Sequence, residues 1–180
     1  MDRIRDAIRT IPDFPHKGIQ FKDITPLVRD PALIRETVAA LVRPFGNVDG
    51  QPRHEGQPIT AVAGMEARGF MFGALAAWQL GVGFIPVRKP GKLPAATHSI
   101  DYELEYQKAS LEIHIDALSS ADHVLVIDDL LATGGTAVAS CELIERCGAS
   151  VAACAFVVEL PVLKGREALE GRFVHAVITD

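Results

Sequence analysis

Asp128 and Asp129 stand directly after the apolar run Val124–Ile127, and the chain then reads Ala132-Thr133-Gly134-Gly135-Thr136. Two carboxylates at the edge of a hydrophobic strand are costly to desolvate unless they meet donors. In an open parallel sheet, ligands bind just beyond the carboxyl ends of the strands, where loops lead into helices. The turn Ala132–Thr136 would open such a helix, whose first free amides and partial positive dipole suit a phosphate. Its glycines let the main chain approach the anion, and the Thr133 and Thr136 hydroxyls can donate to it. Acids beside a phosphate repel it unless they serve another part of the ligand, and vicinal sugar hydroxyls or a hydrated magnesium ion fit that need. The whole string therefore reads as a ribose-5-phosphate cradle. Asp128 and Asp129 take the 2′ and 3′ hydroxyls; Ala132, Thr133, Gly134, Gly135 and Thr136 take the 5′-phosphate. Taken in pieces, either acid could merely cap the turn and the glycines merely close it. The lysine-serine ending of a Walker loop is missing, as is the glycine spacing of a dinucleotide fingerprint.

Such a cradle needs a strand before it and a helix after it. Helical spacing is read over Asp2–Thr10, Pro31–Val42, Gly69–Leu80 and Thr136–Cys147. Strand-like runs cover Ile59–Ala63, Phe84–Val87, Leu111–Ile115, Val124–Ile127, Ala152–Val158 and Phe173–Ile178. Continuous rather than alternating hydrophobicity in the last strands implies cover on both faces. The predicted fold is α/β, a mostly parallel sheet flanked by helices. Asn47–Pro58 reads as a polar surface connection. Lys89–Lys108 exceeds the usual connection of ~4 to 6 residues and reads as a long flexible loop over the site.

The 180 residues are 48% hydrophobic, enough for one well-filled domain. A net charge of −5 with interleaved signs argues against a duplex-binding surface, so no nucleic-acid partner is expected. The opening "MDRIRDAIRT" is charged, and no apolar run reaches the ~18 residues of a membrane helix. A cytoplasmic protein without a membrane partner is the expectation. Cys141, Cys147 and Cys154 show no CxxC spacing and read as small core residues, and the six histidines form no metal pattern.

Six segments occur together and in order: "FPHKGIQFKDITPL" (Phe14–Leu27), "GMEARGFMFG" (Gly64–Gly73), "VRKPGKLP" (Val87–Pro94), "YELEY" (Tyr102–Tyr106), "IDDLLATGGT" (Ile127–Thr136) and "VELPVLKGREAL" (Val158–Leu169). This set resembles the adenine-using branch of the type I phosphoribosyltransferases. The resemblance implies one domain over residues 1–180, with a base-binding segment about 1–30 and a flexible loop about 89–110. It implies adenine and phosphoribosyl pyrophosphate as substrates, AMP and pyrophosphate as products, and magnesium as cofactor, held mainly by substrate and water with no direct protein ligand. Pyrophosphate would meet Glu66, Ala67 and Arg68, through a cis Glu66–Ala67 bond, and the basic mouth Arg88, Lys89 and Lys92 of a two-fold neighbour. A homodimer is therefore implied. Adenine would stack on Phe21, with main-chain groups of Gln20 and Lys22 at its Watson–Crick edge. Similar sequences often carry a small apolar residue and an Arg where Gln20 and Lys22 stand. Glu105 would exchange a proton near adenine N7, with the loop tyrosine Tyr106 beside it. Two competing readings share the cradle. A 6-oxopurine enzyme would need a Lys donor after the late strand, for which Lys164 is the nearby candidate. A non-catalytic sensor would need an added nucleic-acid-binding module or a strongly basic surface.

Overall fold

The computed structural model describes residues 2–48, 51–52, 58–104 and 107–180. The chain opens with α1 (Asp2–Asp6), β1 (Arg9–Pro12), β2 (Gln20–Asp23), α2 (Thr25–Arg29) and α3 (Pro31–Val42). Two short strands follow, β3 (Asn47–Val48) and β4 (Gln51–Pro52), and then β5 (Ala61–Met65), α4 (Gly69–Leu80) and β6 (Gly83–Val87). Next come β7 (Thr97–Leu104), β8 (Gln107–His114), β9 (His123–Leu131) and α5 (Gly135–Arg146). The chain closes through β10 (Ser150–Glu159), a 3₁₀ turn (Pro161–Leu163), α6 (Gly165–Ala168) and β11 (Val174–Thr179).

Five strands form one sheet in the order β11-β10-β9-β5-β6, with every neighbouring pair parallel. Strand residues alternate between two cores, as the period of 2 requires. Leu125, Ile127, Ala155 and Val157 join Leu33, Val38 and Leu41 of α3 and Phe72 and Ala76 of α4. Val124, Val126, Cys154 and Phe156 join Leu143 and Ile144 of α5, with Leu111 and Ile113 of β8. Helices cover both faces, as the unbroken apolar strands predict. The chain order places β9 at the centre of the sheet, so the turn after β9 sits at the middle of the carboxyl edge.

One local expectation needs correction. The helix read over Asp2–Thr10 stops at Asp6, and Arg9–Pro12 is instead β1, antiparallel to β2. Pairing across that hairpin wins over helical spacing: Arg9 donates to Asp23 at 2.5 and 3.0 Å, and Lys22 Nζ donates to Thr10 Oγ1 at 2.9 Å. Within the long stretch after Lys89, Thr97–His114 forms the antiparallel hairpin β7–β8, and the strand read over Leu111–Ile115 lies in it as far as His114. Arg88 and Glu112 exchange main-chain hydrogen bonds of 2.9 and 2.7 Å, tying the hairpin to the end of β6.

Candidate active site

β9 does not end before the acids. Leu130 and Leu131 stay paired with Val158 and Glu159, which carries Asp128 and Asp129 inside the strand rather than beyond its exit. The two carboxyls lie close enough to interact with each other, yet their closest partners differ. Asp129, 4% exposed, accepts Arg68 Nη2 at 3.0 Å. Asp128 lines a hollow of ≈ 120 Å³ with Met65, Phe156 and the turn Ala132–Ala137. Its Oδ1 also accepts the Asp129 amide at 2.9 Å. Burial raises the proton affinity of both acids. The neighbouring Asp129 charge pushes Asp128 further up, whereas Arg68 partly offsets the effect at Asp129.

The turn that closes the hollow is built around Gly134, whose φ of +87° favours glycine. A Cβ there would also lie 2.7 Å from the Gly165 carbonyl. The glycine thus serves the packing of the late 161–168 turn as well as access to the loop. Gly134 caps α5 without a side chain, so no carboxylate or hydroxyl competes for the helix's first amides. A 12-residue helix begins there with its positive end toward the hollow. Thr136 adds a hydroxyl whose Oγ1 lies 3.3 Å from the Tyr102 hydroxyl of β7.

Arg68 sits at the start of α4, where the helix dipole disfavours a cation; Asp129 compensates. Its guanidinium also lies 5.1 Å from the centre of the Phe21 ring and donates weakly, at 3.5 Å, to the Lys22 carbonyl. Phe21 in turn meets the edge of Phe14 at 5.1 Å. One side chain therefore bridges the acid pair and the β2 segment. The Lys22 ammonium points elsewhere, into an ion pair with Asp180. Gln20 is exposed. The Glu66–Ala67 peptide is cis. Glu66 accepts Arg88 Nη2 and the Lys89 amide, each at 3.0 Å, and these bonds hold its carboxyl below the usual range. Arg88 also donates to the Lys92 carbonyl at 3.1 Å, whereas the Lys89 and Lys92 residues are exposed.

This arrangement offers a small hollow at the start of α5, an acid pair and an arginine-backed aromatic along one edge of the sheet. Residues 47–173 match the phosphoribosyl transferase domain family. An adenine phosphoribosyltransferase of Methylococcus capsulatus is 64% identical over 99% of both chains. The chain belongs to the adenine phosphoribosyltransferase family. Among solved members, the Thermoanaerobacter pseudethanolicus structure superposes with a TM-score of 0.91 at 47% identity, covering 99% of each chain. The Saccharomyces cerevisiae structure, complexed with an imino-altritol bisphosphate and adenine, gives 0.85 at 38% identity over 96% of this chain and 95% of that one.

Against that family, the structure draws together Asp128, Asp129, the Ala132–Thr136 turn, Arg68, Phe21 and Lys22. Arg88 joins through Glu66. Glu105 and Tyr106 lie outside the described residues. Three contributors escaped the sequence reading. Tyr102 belongs to the quoted "YELEY" but stood there without a role. Gly165 packs against the Ala132 carbonyl, and Asp180 grips Lys22. The only sequence signal for Gly165 was a glycine beside a charged pair, and for Asp180 there was none.

Proposed function

We propose that the chain transfers the 5-phosphoribosyl group from phosphoribosyl pyrophosphate to N9 of adenine, giving AMP and pyrophosphate. The observation that supports this best is the chain of contacts from the hollow at α5, through Asp128 and Asp129, to Arg68 and Phe21. It follows the order of phosphate, ribose, pyrophosphate and base in the reacting pair.

The transition state of such a transfer resembles an oxocarbenium ion, so the site must fix an electron-poor ribose and neutralise a departing polyanion. Ala132, Thr133, Gly134, Gly135 and Thr136 hold the 5′-phosphate, and Asp128 and Asp129 accept from the ribose hydroxyls. Arg68 exchanges Asp129 for pyrophosphate oxygens, which a planar guanidinium can bridge two at a time. Main-chain groups of Glu66 and Ala67 line the same departing group. Phe21 stacks on adenine, and a main-chain carbonyl of the Gln20–Lys22 segment accepts its 6-amino group. A 6-oxopurine would present an acceptor to that carbonyl. Glu105 exchanges the proton at N7, beside Tyr106.

Magnesium fits this donor set only loosely. Asp129 is already charge-paired, and among the described residues no group of three or more His, Cys, Asp or Glu could hold a metal. Substrate oxygens and water would carry the ion, with Asp128 contacting it through water. When bound, the ion supplies Lewis-acid stabilisation of the leaving pyrophosphate. The working unit is a homodimer in which Arg88, Lys89 and Lys92 of one subunit face the pyrophosphate of the other. Among the described residues no helix is long and apolar enough to cross a membrane, and we assign the chain to the cytoplasm.

The test is nucleotide formation from phosphoribosyl pyrophosphate with adenine, hypoxanthine or guanine, separated chromatographically. AMP alone should form, and chelation of magnesium should stop it. An inosine or guanosine nucleotide would overturn the base account. Binding of phosphoribosyl pyrophosphate without any product would make the chain a sensor.

A further inference from the structure

We propose that Tyr102 is a positioning residue for the 5′-phosphate, its phenol setting the direction in which Thr136 donates. The inference rests on the reading of Ala132–Thr136 as the 5′-phosphate turn. A phosphate oxygen can only accept, so a Thr136 hydroxyl that serves it must spend its one proton there. The hydroxyl oxygen is then left as an acceptor, and the Tyr102 hydroxyl lies 3.3 Å from it. Tyr102 becomes the donor, and the two hydroxyls form a polarised relay aimed at the phosphate.

The surroundings favour this geometry over chance proximity. Thr136 is the second residue of α5, too near its start to bond back to a helical carbonyl as interior threonines do. Thr136 is among the residues that line the hollow. Tyr102 is half-buried, paired in register with Ala109 and packed against the core beneath α5. A second bond, Arg146 Nη1 to the Ser99 carbonyl at 2.8 Å, fastens the same strand to the other end of α5. β7 is thus held along the length of the helix that presents the phosphate turn, and the phenol is delivered by a fixed backbone.

Calorimetric affinities for AMP and adenosine, which differ only in the 5′-phosphate, test the proposal. Tyr102→Phe should weaken AMP by about 3- to 10-fold, the size of one neutral hydrogen bond, and leave adenosine unchanged. In a Thr136→Val background, the same change should have no further effect on AMP. Equal loss for both ligands, or undiminished loss in the Thr136→Val background, would refute the positioning role. Should the wild-type protein bind AMP no better than adenosine, the 5′-phosphate reading itself falls. If Tyr102→Phe does not fold, the wild-type chain still answers. It has two tyrosines, so ring-carbon NMR of labelled tyrosine, assigned with Tyr106→Phe, isolates Tyr102. That resonance should move with ribose 5-phosphate and stay still with ribose; the absence of a shift counts against the relay.

Discussion

Asp128 and Asp129 illustrate how adjacent letters acquire different environments. Their types and their place after an apolar run were legible, but only three dimensions show that Arg68 pairs with one of them while the two acids burden each other. Among the described residues Asp128 forms no ion pair, and Arg68 lowers its proton affinity only as a minor counterweight. Its proton affinity is higher in the folded chain than in the unfolded one, chiefly through burial. The folded anion therefore carries a penalty that is fully present above the raised pKa, shrinks as pH falls below it, and is gone only below the ordinary carboxylate value. Asp128→Asn keeps the acceptor for the Asp129 amide and removes the charge. In metal-free urea melts at neutral pH it should stabilise the chain by about 1 kcal/mol, with the gain shrinking as pH is lowered. Turnover should fall, because the carboxylate proposed to accept from ribose is lost. A variant less stable than wild type at neutral pH would contradict the account of that penalty.

Elements differ in how openly the sequence announces them. The helices over Pro31–Val42 and Gly69–Leu80 match their predicted limits, because apolar spacing and packing agree there. β1, β2 and β7 were hidden, and β8 was read only over Leu111–Ile115, because their pairing depends on partners across a turn and β1 is exposed throughout. The late turn was hidden for another reason: its importance lies in what it touches. Glu159, buried at the end of β10, accepts Arg166 at 2.9 and 2.5 Å, and Arg166 also donates to the Val174 carbonyl at 2.8 Å. This clamp presses Gly165 against Ala132 and Leu131, leaving no room for a Cβ. Gly165→Ala must push the Ala132–Thr136 turn aside, where the 5′-phosphate is proposed to bind. It should raise KM for phosphoribosyl pyrophosphate by about tenfold and destabilise the chain by about 1–3 kcal/mol, with little change in KM for adenine. Steady-state kinetics with each substrate varied in turn will tell; a matching rise for adenine would place the disturbance elsewhere.

At the scale of the molecule, the parallel sheet was readable because strands covered on both faces cannot alternate in polarity, and this constraint appears directly in the letters. The base segment was not readable as structure, since it rests on single contacts with remote parts of the chain, such as Arg68 to the Lys22 carbonyl and Lys22 to Asp180. The same contrast has a thermodynamic side. Val124–Ile127 is hydrogen-bonded to a strand on each side, whereas β1 and β2 pair only with one another. A two-stranded ribbon is marginal by itself. Deuterium uptake in mild urea should therefore reach amides 9–23 well before amides 124–127, which open only with global unfolding. Equal uptake rates would show the ribbon and the central strand to be one cooperative unit. If the rates separate, the protein discards its grip on the base while the floor beneath the sugar phosphate is still intact, and inactivation begins as a loss of one substrate rather than of the fold.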